Sequence, residues 1–298
     1  MNSLKLVDIF FKAVCVALLV AICCILWKTY EQSKIIKRQN DDLWRQARQT
    51  QVKLSLKDGI FRNGDIKFYV PNYPMDGIQR YIVDSGKFFE EKLLEQIDDI
   101  LPDNPVILDI GANIGNHTLY WLLKSPKKAK HVYSFEVIDE TYNVLKNNIE
   151  INKLQNKATA YNFGLSNVNS RATVKKSYQR STSMNSETAI LEEGENGAYR
   201  FKKLDSLQIP DKVDFIKVDV EGQEMQVMKG AVKFLAKHKP TIWVEVWPDW
   251  YYIKNNPEKK GCKHREEFND FMDKLGYKMV KHLGGSDFIY KHRSKIAD

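Results

Sequence analysis

The sequence predicts an α/β protein built on a doubly wound, mostly parallel sheet, with one apolar helix preceding it. Three observations carry this prediction. Short apolar runs alternate with helical stretches from residue 105 onward, which is typical of parallel sheets covered by helices. A glycine-containing turn follows the first apolar run. The last two runs, joined by Gly284, Gly285 and Ser286, indicate a closing antiparallel hairpin.

The alternation defines the predicted elements. A buried strand is expected at 106–110 and a helix directly after it at 115–123. Further strands are predicted at 131–136, 159–163, 214–220 and 241–246, and further helices at 141–152, 224–236 and 264–275. Residues 58–104 contain a short strand at 66–70 and a helix near 88–100. They are expected to form an N-terminal extension of one domain that covers residues 58–298.

An apolar stretch lies within residues 1–30. Residues 13–27 are uncharged, and extending the stretch to residue 9 adds only Lys12, giving a length close to the ~20 residues that cross a bilayer. A buried core helix would show a polar face, and a cleaved signal peptide would show small residues before the cut; both alternatives fit less well. We therefore expect an uncleaved membrane anchor that contacts the lipid bilayer through residues 9–27.

Basic residues flank this stretch unevenly. Lys5 and the terminal amine precede it, whereas the residues after it include Lys28, Lys34, Lys37 and Arg38. The positive-inside rule therefore predicts a single-pass membrane protein whose C-terminal domain is cytosolic. Residues 31–57 are polar and contain neither Gly nor Pro, so we expect them to form a helical stalk.

The distribution of charge argues against a nucleic-acid partner. Residues 1–57 contain ten Lys and Arg against four Asp and Glu, whereas the remainder contains 36 against 34. A nearly neutral domain lacks the basic surface that a polyphosphate requires. No Cys or His residues have zinc-site spacing, so we expect no metal centre.

The most informative motif is the turn DIGANIG at residues 109–115. Gly111 lets the backbone approach a ligand at the carboxyl end of the first strand, and Gly115 permits close packing where the helix begins. The spacing differs from that of dinucleotide-binding and P-loop motifs. Asp109 would repel a pyrophosphate, but it would complement the ammonium group of an amino-acid ligand. A purely structural glycine turn is the alternative.

Glu136 ends the second predicted strand, where a carboxylate can accept hydrogen bonds from both hydroxyls of a ribose. A solvated strand-end carboxylate is the alternative if Glu136 is taken alone. Together with the glycine turn, Glu136 indicates a ligand that has a ribose and an amine but no pyrophosphate. S-adenosylmethionine fits this description, and the sequence predicts it as the cofactor.

Three carboxylates, Asp219, Glu221 and Glu224, follow the fourth predicted strand. Asp219 and Glu221 alternate with valines and should emerge at the sheet edge that holds Gly111. Clustered carboxylates raise each other's pKa, so either residue is a candidate base for a hydroxyl proton. His117, just after the glycine turn, is a third candidate. Glu224 could instead serve only to favour a helix N-terminus.

Several longer motifs support this interpretation: VILDIGANIGNHTLYW, SFEVIDETYNVLKNNIEIN, NFGLSN and IKVDVEGQE. On these motifs, residues 68–247 resemble the FkbM-like methyltransferases. The resemblance implies a Rossmann-like class I methyltransferase fold with strand order 3-2-1-4-5-7-6, S-adenosylmethionine as donor, and O-methylation of sugar or natural-product hydroxyls. It also implies a donor site formed by Asp109, Gly111, Asn113, Gly115 and Glu136, with Asn162 near the adenine and Asp219 near the methyl group.

The sequence thus predicts methylation of a hydroxyl on a sugar, glycolipid or small natural product, with a small-molecule or glycan acceptor. Two alternatives stay open. One is a catalytically silent, membrane-tethered module that binds S-adenosylmethionine. The other is a nucleic-acid methyltransferase, which the sequence DVEG after the fourth strand disfavours. Trp247, Trp250 and Tyr251 either line an acceptor pocket or pack beneath the terminal hairpin, and residues 180–185 are expected to form a loop.

Overall fold

The computed structural model of the protein describes residues 3–180, 183–193, 197–255 and 259–296. The side chains of residues 3–17, 21, 45, 53, 55, 173–180, 183–193 and 255 lie outside this description. The chain divides into two compact units, residues 1–57 and residues 58–298.

The first unit contains one helix, α1 (Ser3–Ser55). The predicted stalk is helical as far as Ser55. Side chains at 9–17 and 21, which make up much of the predicted membrane span, lie outside the described part of the chain. Within the part that is described, no helix is long and apolar enough to cross a membrane. The structure therefore does not support the expected transmembrane helix.

The second unit alternates strands and helices. The elements are, in chain order, β1 (Ile60–Asn63), β2 (Ile66–Tyr69), α2 (Gly77–Ser85), α3 (Glu91–Asp98), β3 (Val106–Ile110), α4 (Asn116–Leu119), β4 (His131–Phe135), α5 (Asp139–Ile151), β5 (Ala158–Tyr161), β6 (Gly164–Leu165), β7 (Ser170–Arg180), β8 (Ser183–Glu193), β9 (Tyr199–Lys202), β10 (Phe215–Val218), α6 (Glu224–Lys229), α7 (Val232–His238), β11 (Thr241–Glu245), α8 (Asp249–Asn255), α9 (His264–Lys274), β12 (Tyr277–Gly284) and β13 (Asp287–His292).

A seven-stranded sheet in the order β12-β13-β11-β10-β3-β4-β5 forms the centre of this unit. Strands β3, β4, β5, β10 and β11 are parallel, and β13 pairs antiparallel with both of its neighbours. The mostly parallel sheet with a terminal antiparallel hairpin is therefore confirmed, and its order is the one expected for a class I methyltransferase. The chain leaves β3 toward β4 on one side and returns to β10 on the other. This change of direction opens a crevice at the carboxyl ends of β3 and β10.

Two predicted helices differ from the structure. The helix expected at 115–123 is α-helical only over Asn116–Leu119 and continues as a π-helix over Tyr120–Lys124. The helix expected at 224–236 is divided into α6 and α7. Gly230 lies at the division, where a Cβ atom would approach the backbone oxygen of Ser166 to 2.0 Å. Its own carbonyl oxygen accepts a hydrogen bond from the Asp205 backbone at 2.9 Å. The segments that contain Ser166 and Asp205 both pass close to Gly230, and this packing interrupts the helix. The local sequence pattern does not reveal it.

A second sheet, in the order β6-β9-β7-β8, was not predicted. Strands β7 and β8 pair antiparallel from Ala172 opposite Glu193 to Arg180 opposite Ser183. The loop expected at 180–185 is therefore wrong for residue 180, which ends β7, and for residues 183–185, which belong to β8. Residues 181–182 lie outside the described part of the chain. Residues 170–193 mix polar and apolar side chains without strict alternation, so they carry no clear strand signal.

We expect Gly115→Ala to destabilise the protein more than Gly86→Ala does. Both glycines have a positive φ, 86° at Gly115 and 67° at Gly86, so alanine costs about 1–2 kcal/mol at either site. At Gly115 the new Cβ would also meet the Leu145 side chain at 2.6 Å, whereas nothing lies within 4 Å at Gly86. This overpacking adds about 1–3 kcal/mol. Urea denaturation measures both losses, and equal losses would contradict the packing role of Gly115.

Candidate active site

A cavity of about 280 Å³ lies in the crevice at the carboxyl ends of β3, β4 and β10. Its wall combines the turns after these strands with parts of the α2–α3 connection, β6, β9 and the end of β11. The polar and charged residues among those that line it are Glu90, Asn113, Asn116, His117, Glu136, Thr141, Lys217, Asp219, Glu221, Gln223 and Glu245.

The predicted glycine turn forms one part of the wall. A Cβ at Gly111 would lie 1.8 Å from the backbone oxygen of Asp219, so only glycine lets the turns after β3 and β10 approach each other this closely. The backbone N–H groups of Gly111 and Ala112 donate to the Phe135 carbonyl oxygen at 3.0 and 2.9 Å. The turn is thereby fixed to the end of β4. Gly115 lies beyond the cavity and packs against α5.

Glu136 occupies the position where a ribose-binding carboxylate was predicted. Its side chain is 7% exposed and accepts hydrogen bonds from the backbone N–H groups of Asn113 (3.0 Å) and Ile138 (2.9 Å). Burial raises the pKa of Glu136 to about 7 although these hydrogen bonds favour the ionised form. A buried carboxylate held in this way faces the cavity and can accept hydrogen bonds from a ligand.

Asp109 lies behind the cavity wall rather than on it. It is fully buried and accepts a hydrogen bond from the Thr118 hydroxyl at 2.7 Å. Its other carboxylate oxygen lies 3.9 Å from the Lys217 ammonium nitrogen, its neighbour across β3 and β10. The structure thus gives Asp109 contacts with Thr118 and Lys217, and its contact with a ligand ammonium group stays a prediction.

Lys217 is buried and connects the turns. Its Nζ donates to Asp219 at 3.1 Å and to the Gly111 carbonyl oxygen at 3.3 Å. Burial alone would lower the pKa of Lys217, but the carboxylates of Asp219, Asp109 and Glu90 raise it above its usual range. In turn, Lys217 holds the pKa of Asp219 below its usual value against the opposing effect of burial. Both groups are therefore ionised at neutral pH.

Glu245, which the sequence analysis missed, shares a hydrogen bond with Asp219 at the end of β11. Burial, followed by the charges of Asp219 and Glu221, raises the pKa of Glu245 far above its usual range. The proton shared by the two carboxyl groups therefore resides on Glu245. The only signal in the sequence was a carboxylate at the end of the fifth strand.

The remaining carboxylates after β10 have different roles. Glu221 lines the cavity and has a φ of 54°, an uncommon value for a residue other than glycine. Glu224 is fully buried and accepts the backbone N–H of Gly222 at 2.9 Å, so it stabilises the turn from behind. Burial raises the pKa of Glu224 to about 8.

The structure brings His117 to the cavity but not Asn162. The His117 side chain is 8% exposed, and its Nε2 lies 3.3 Å from a Glu90 carboxylate oxygen. Asn162 instead donates to Asp139 at 2.9 Å and is not among the residues that line the cavity. Trp247 is 3% exposed and packs on Gly222. It therefore packs behind the cavity wall and does not line the cavity.

The cavity lining is acidic. Five carboxyl groups line it: Glu90, Glu136, Asp219, Glu221 and Glu245. Glu245 keeps its proton and the Asp219 carboxylate contacts the Lys217 ammonium group, so the acidic character comes mainly from Glu90, Glu136 and Glu221. Such a lining favours a ligand that carries positive charge. Within the described residues, no group of three or more His, Cys, Asp and Glu side chains is arranged to hold a metal ion.

Residues 109–279 match the family model of the methyltransferase FkbM domain. The match covers more than half of the chain and includes the glycine turn, Glu136 and the Lys217–Asp219–Glu245 cluster. The chain therefore belongs to the methyltransferase FkbM domain family.

The chain is also similar to individual proteins. Methyltransferase sdnD of Sordaria araneosa is 29% identical over 200 residues, covering 55% of this chain and 76% of the relative. Methyltransferase 1 of Beauveria bassiana is 28% identical over 150 residues, covering 43% of this chain and 59% of the relative. A methyltransferase FkbM structure from Methylobacillus flagellatus KT is 17% identical and superimposes with a TM-score of 0.43, covering 65% of this chain and 45% of that one.

We expect Glu245→Gln to stabilise the protein increasingly as pH rises. The pKa of Glu245 is raised on folding, so below about pH 4 both states are protonated and the residue has no effect. Above that pH the unfolded state ionises while the folded state keeps its proton, which costs stability. Glutamine removes this cost and can still donate to Asp219. The gain in melting temperature over the wild type should be near zero at pH 4 and largest near pH 8.

The exposed Glu267, on α9, provides the matched control. Glu267→Gln removes a carboxylate that is surrounded by solvent, so its effect on melting temperature should not grow with pH. If Glu245→Gln and Glu267→Gln show the same pH dependence, Glu245 does not hold the shared proton.

Proposed function

We propose that the protein is an S-adenosylmethionine-dependent methyltransferase that methylates a hydroxyl of a sugar, a glycolipid or a small natural product. One observation carries this proposal: the glycine turn, the Glu136 carboxylate and the Asp219 carboxylate line the same cavity. Family membership and relatives that are named methyltransferases support the reaction class.

The residues present fit this cofactor. Glu136 is held by two backbone N–H groups with its carboxylate toward the cavity, where it would accept the ribose hydroxyls. The glycine at 111 leaves backbone rather than side chain at the wall, and Asn113 follows it. The acidic lining complements a ligand that bears a sulfonium and an ammonium group. When bound, S-adenosylmethionine supplies an electrophilic methyl group.

The chain's own residues orient the acceptor and take its proton. Asp219 is ionised and paired with Lys217, so it is a good acceptor of a hydrogen bond but a weak base. His117 is buried and lines the cavity, and a neutral imidazole ring has one nitrogen that can accept a proton. We therefore assign the acceptor's hydroxyl proton to His117, with Asp219 and Glu221 orienting the hydroxyl.

Calorimetric titration of the full chain with S-adenosylmethionine tests the donor site. Because the pKa of Glu136 is about 7, its carboxylate forms as pH rises from 6 to 8, and the affinity should increase over this range. Glu136→Gln should weaken binding about tenfold or more at pH 8, since a hydrogen bond to a charged group contributes about 1.5–3 kcal/mol. The affinity of this variant should change little with pH.

Glu140→Gln, at the exposed start of α5, is the control and should bind like the wild type. Absence of binding by the folded wild type would overturn the proposal. Binding without transfer of a labelled methyl group to glycan, lipid or small-molecule fractions would favour the catalytically silent module instead.

The single-pass membrane location, with the C-terminal domain in the cytosol, stays a prediction from the sequence. We expect the full chain to sediment with membranes and to resist alkaline carbonate extraction. Leu19→Lys combined with Ile22→Lys should release it, because each charge at the centre of a span costs about 2.5–3.5 kcal/mol. Lys34→Ala with Lys37→Ala, outside the apolar stretch, should leave sedimentation unchanged. Recovery of the wild type in the supernatant would contradict the prediction.

A further inference from the structure

Glu90 approaches the cavity from outside the family-matched region. It lies in the connection between α2 and α3, within residues 58–104, whereas the match begins at residue 109. Its carboxylate nevertheless lines the same cavity as the glycine turn and Asp219, and its side chain is 36% exposed there. Nothing in the local sequence pattern distinguishes Glu90 from a surface glutamate, so its place at the cavity could not be predicted.

The backbone of Glu90 is strained. Its φ and ψ are 59° and 27°, the left-handed conformation that costs a residue other than glycine about 1–2 kcal/mol. Glu90 precedes α3 at the position where a side chain can cap the helix, but its side chain makes no capping hydrogen bond. The carboxylate is directed to His117 instead. A strained residue that gives up a local hydrogen bond in this way indicates a functional constraint.

A pair of hydrogen bonds fixes this arrangement. The side-chain oxygen of Asn116 accepts the backbone N–H of Phe89 at 3.0 Å, and its side-chain nitrogen donates to the Phe89 carbonyl oxygen at 2.9 Å. Asn116, which precedes His117, therefore fixes Phe89, which precedes Glu90. Since this pair already joins the two segments, the Glu90–His117 contact is not needed to connect them.

The His117 ring has little freedom. It contacts the rings of Trp121 and Trp243, with centroids 5.9 and 5.4 Å away, and its side chain is 8% exposed. Nε2 is buried and lies 3.3 Å from a Glu90 carboxylate oxygen, but it has no aligned hydrogen-bond partner among the described residues. A small shift of either side chain would form that hydrogen bond.

We propose that Glu90 is a positioning residue whose carboxylate determines which ring nitrogen of His117 carries the proton and keeps the other able to accept one. This inference rests on the proposed function, in which His117 takes the hydroxyl proton of the acceptor. A proton on Nε2, facing Glu90, leaves the lone pair of the neutral ring on Nδ1. The proton taken up then gives an imidazolium that the adjacent carboxylate stabilises.

Other charged groups also act on His117. Asp219, after β10, interacts electrostatically with it, and Lys217 neutralises part of that effect by pairing with Asp219. Asp287, which accepts the indole N–H of Trp243 at 2.7 Å, lies behind one of the two tryptophans that flank the ring. These groups remain in a Glu90 variant, so the change caused by removing Glu90 can be measured against a constant background.

Histidine side-chain NMR of the full chain tests the proposal without any acceptor. His117 is assigned by the loss of its signals in His117→Gln. Replacing Glu90 by Gln removes the carboxylate that favours a proton on Nε2. The ring nitrogen chemical shifts should therefore change from those of one dominant tautomer to those of a mixture. Glu90→Asp should restore the dominant tautomer in part.

Glu95→Gln, which removes an exposed carboxylate from α3, is the control and should leave the His117 tautomer unchanged. In methyl transfer, Glu90→Gln should lower kcat roughly tenfold or more with an unchanged KM for S-adenosylmethionine, and should add little to the loss in His117→Gln.

Three results would overturn the positioning role. They are an unaltered His117 tautomer in Glu90→Gln, a selective rise in the KM for S-adenosylmethionine, and full additivity of the two substitutions. The NMR result does not require the cofactor. Failure of the proposed function is therefore distinguishable from failure of the positioning role. If the wild type does not bind S-adenosylmethionine, the proposed function is wrong, but the tautomer measurement still decides whether Glu90 controls His117.

Discussion

The candidate active site depends on one buried ammonium group. Lys217 is 3% exposed and contacts Asp219, Asp109 and the carbonyl oxygen of Gly111. These partners belong to β3, to the turn after it and to the end of β10. Removing one member of a buried ion pair leaves an uncompensated charge, at a cost of about 3–5 kcal/mol. The glycine turn and the Asp219 carboxylate are therefore held in register by the same side chain.

Three of the residues other than glycine that have a positive φ line the same cavity. Glu90, Asn113 and Glu221 all line it and have φ values of 59°, 51° and 54°. Each such conformation costs about 1–3 kcal/mol and persists only where surrounding contacts compensate for it. Those contacts are present: Asn116 clamps the residue before Glu90, and the buried Glu224 binds the Gly222 N–H directly after Glu221.

The central sheet and the strand-end residues Gly111, Glu136 and Asp219 could be predicted because buried parallel strands appear as apolar runs whose carboxyl ends meet at one edge. The position of Asp109 could not, because it depends on its register opposite Lys217, 108 residues later in the chain. Glu90 was missed for a similar reason, since only tertiary packing brings it to His117. The second sheet was missed because its strands lack regular alternation, and the membrane span predicted from residues 9–27 is not supported in the described residues.

Two kinds of segment line the cavity. Gly111, Glu136 and Asp219 follow strands whose register is set by the sheet, so they can change little without disturbing the fold. Glu90 comes from the α2–α3 connection, and Phe201 comes from the second sheet. Connections tolerate substitution and insertion far better than central strands do. Differences in acceptor between members of this family are therefore expected to arise in these two segments, while the strand ends keep the same chemistry.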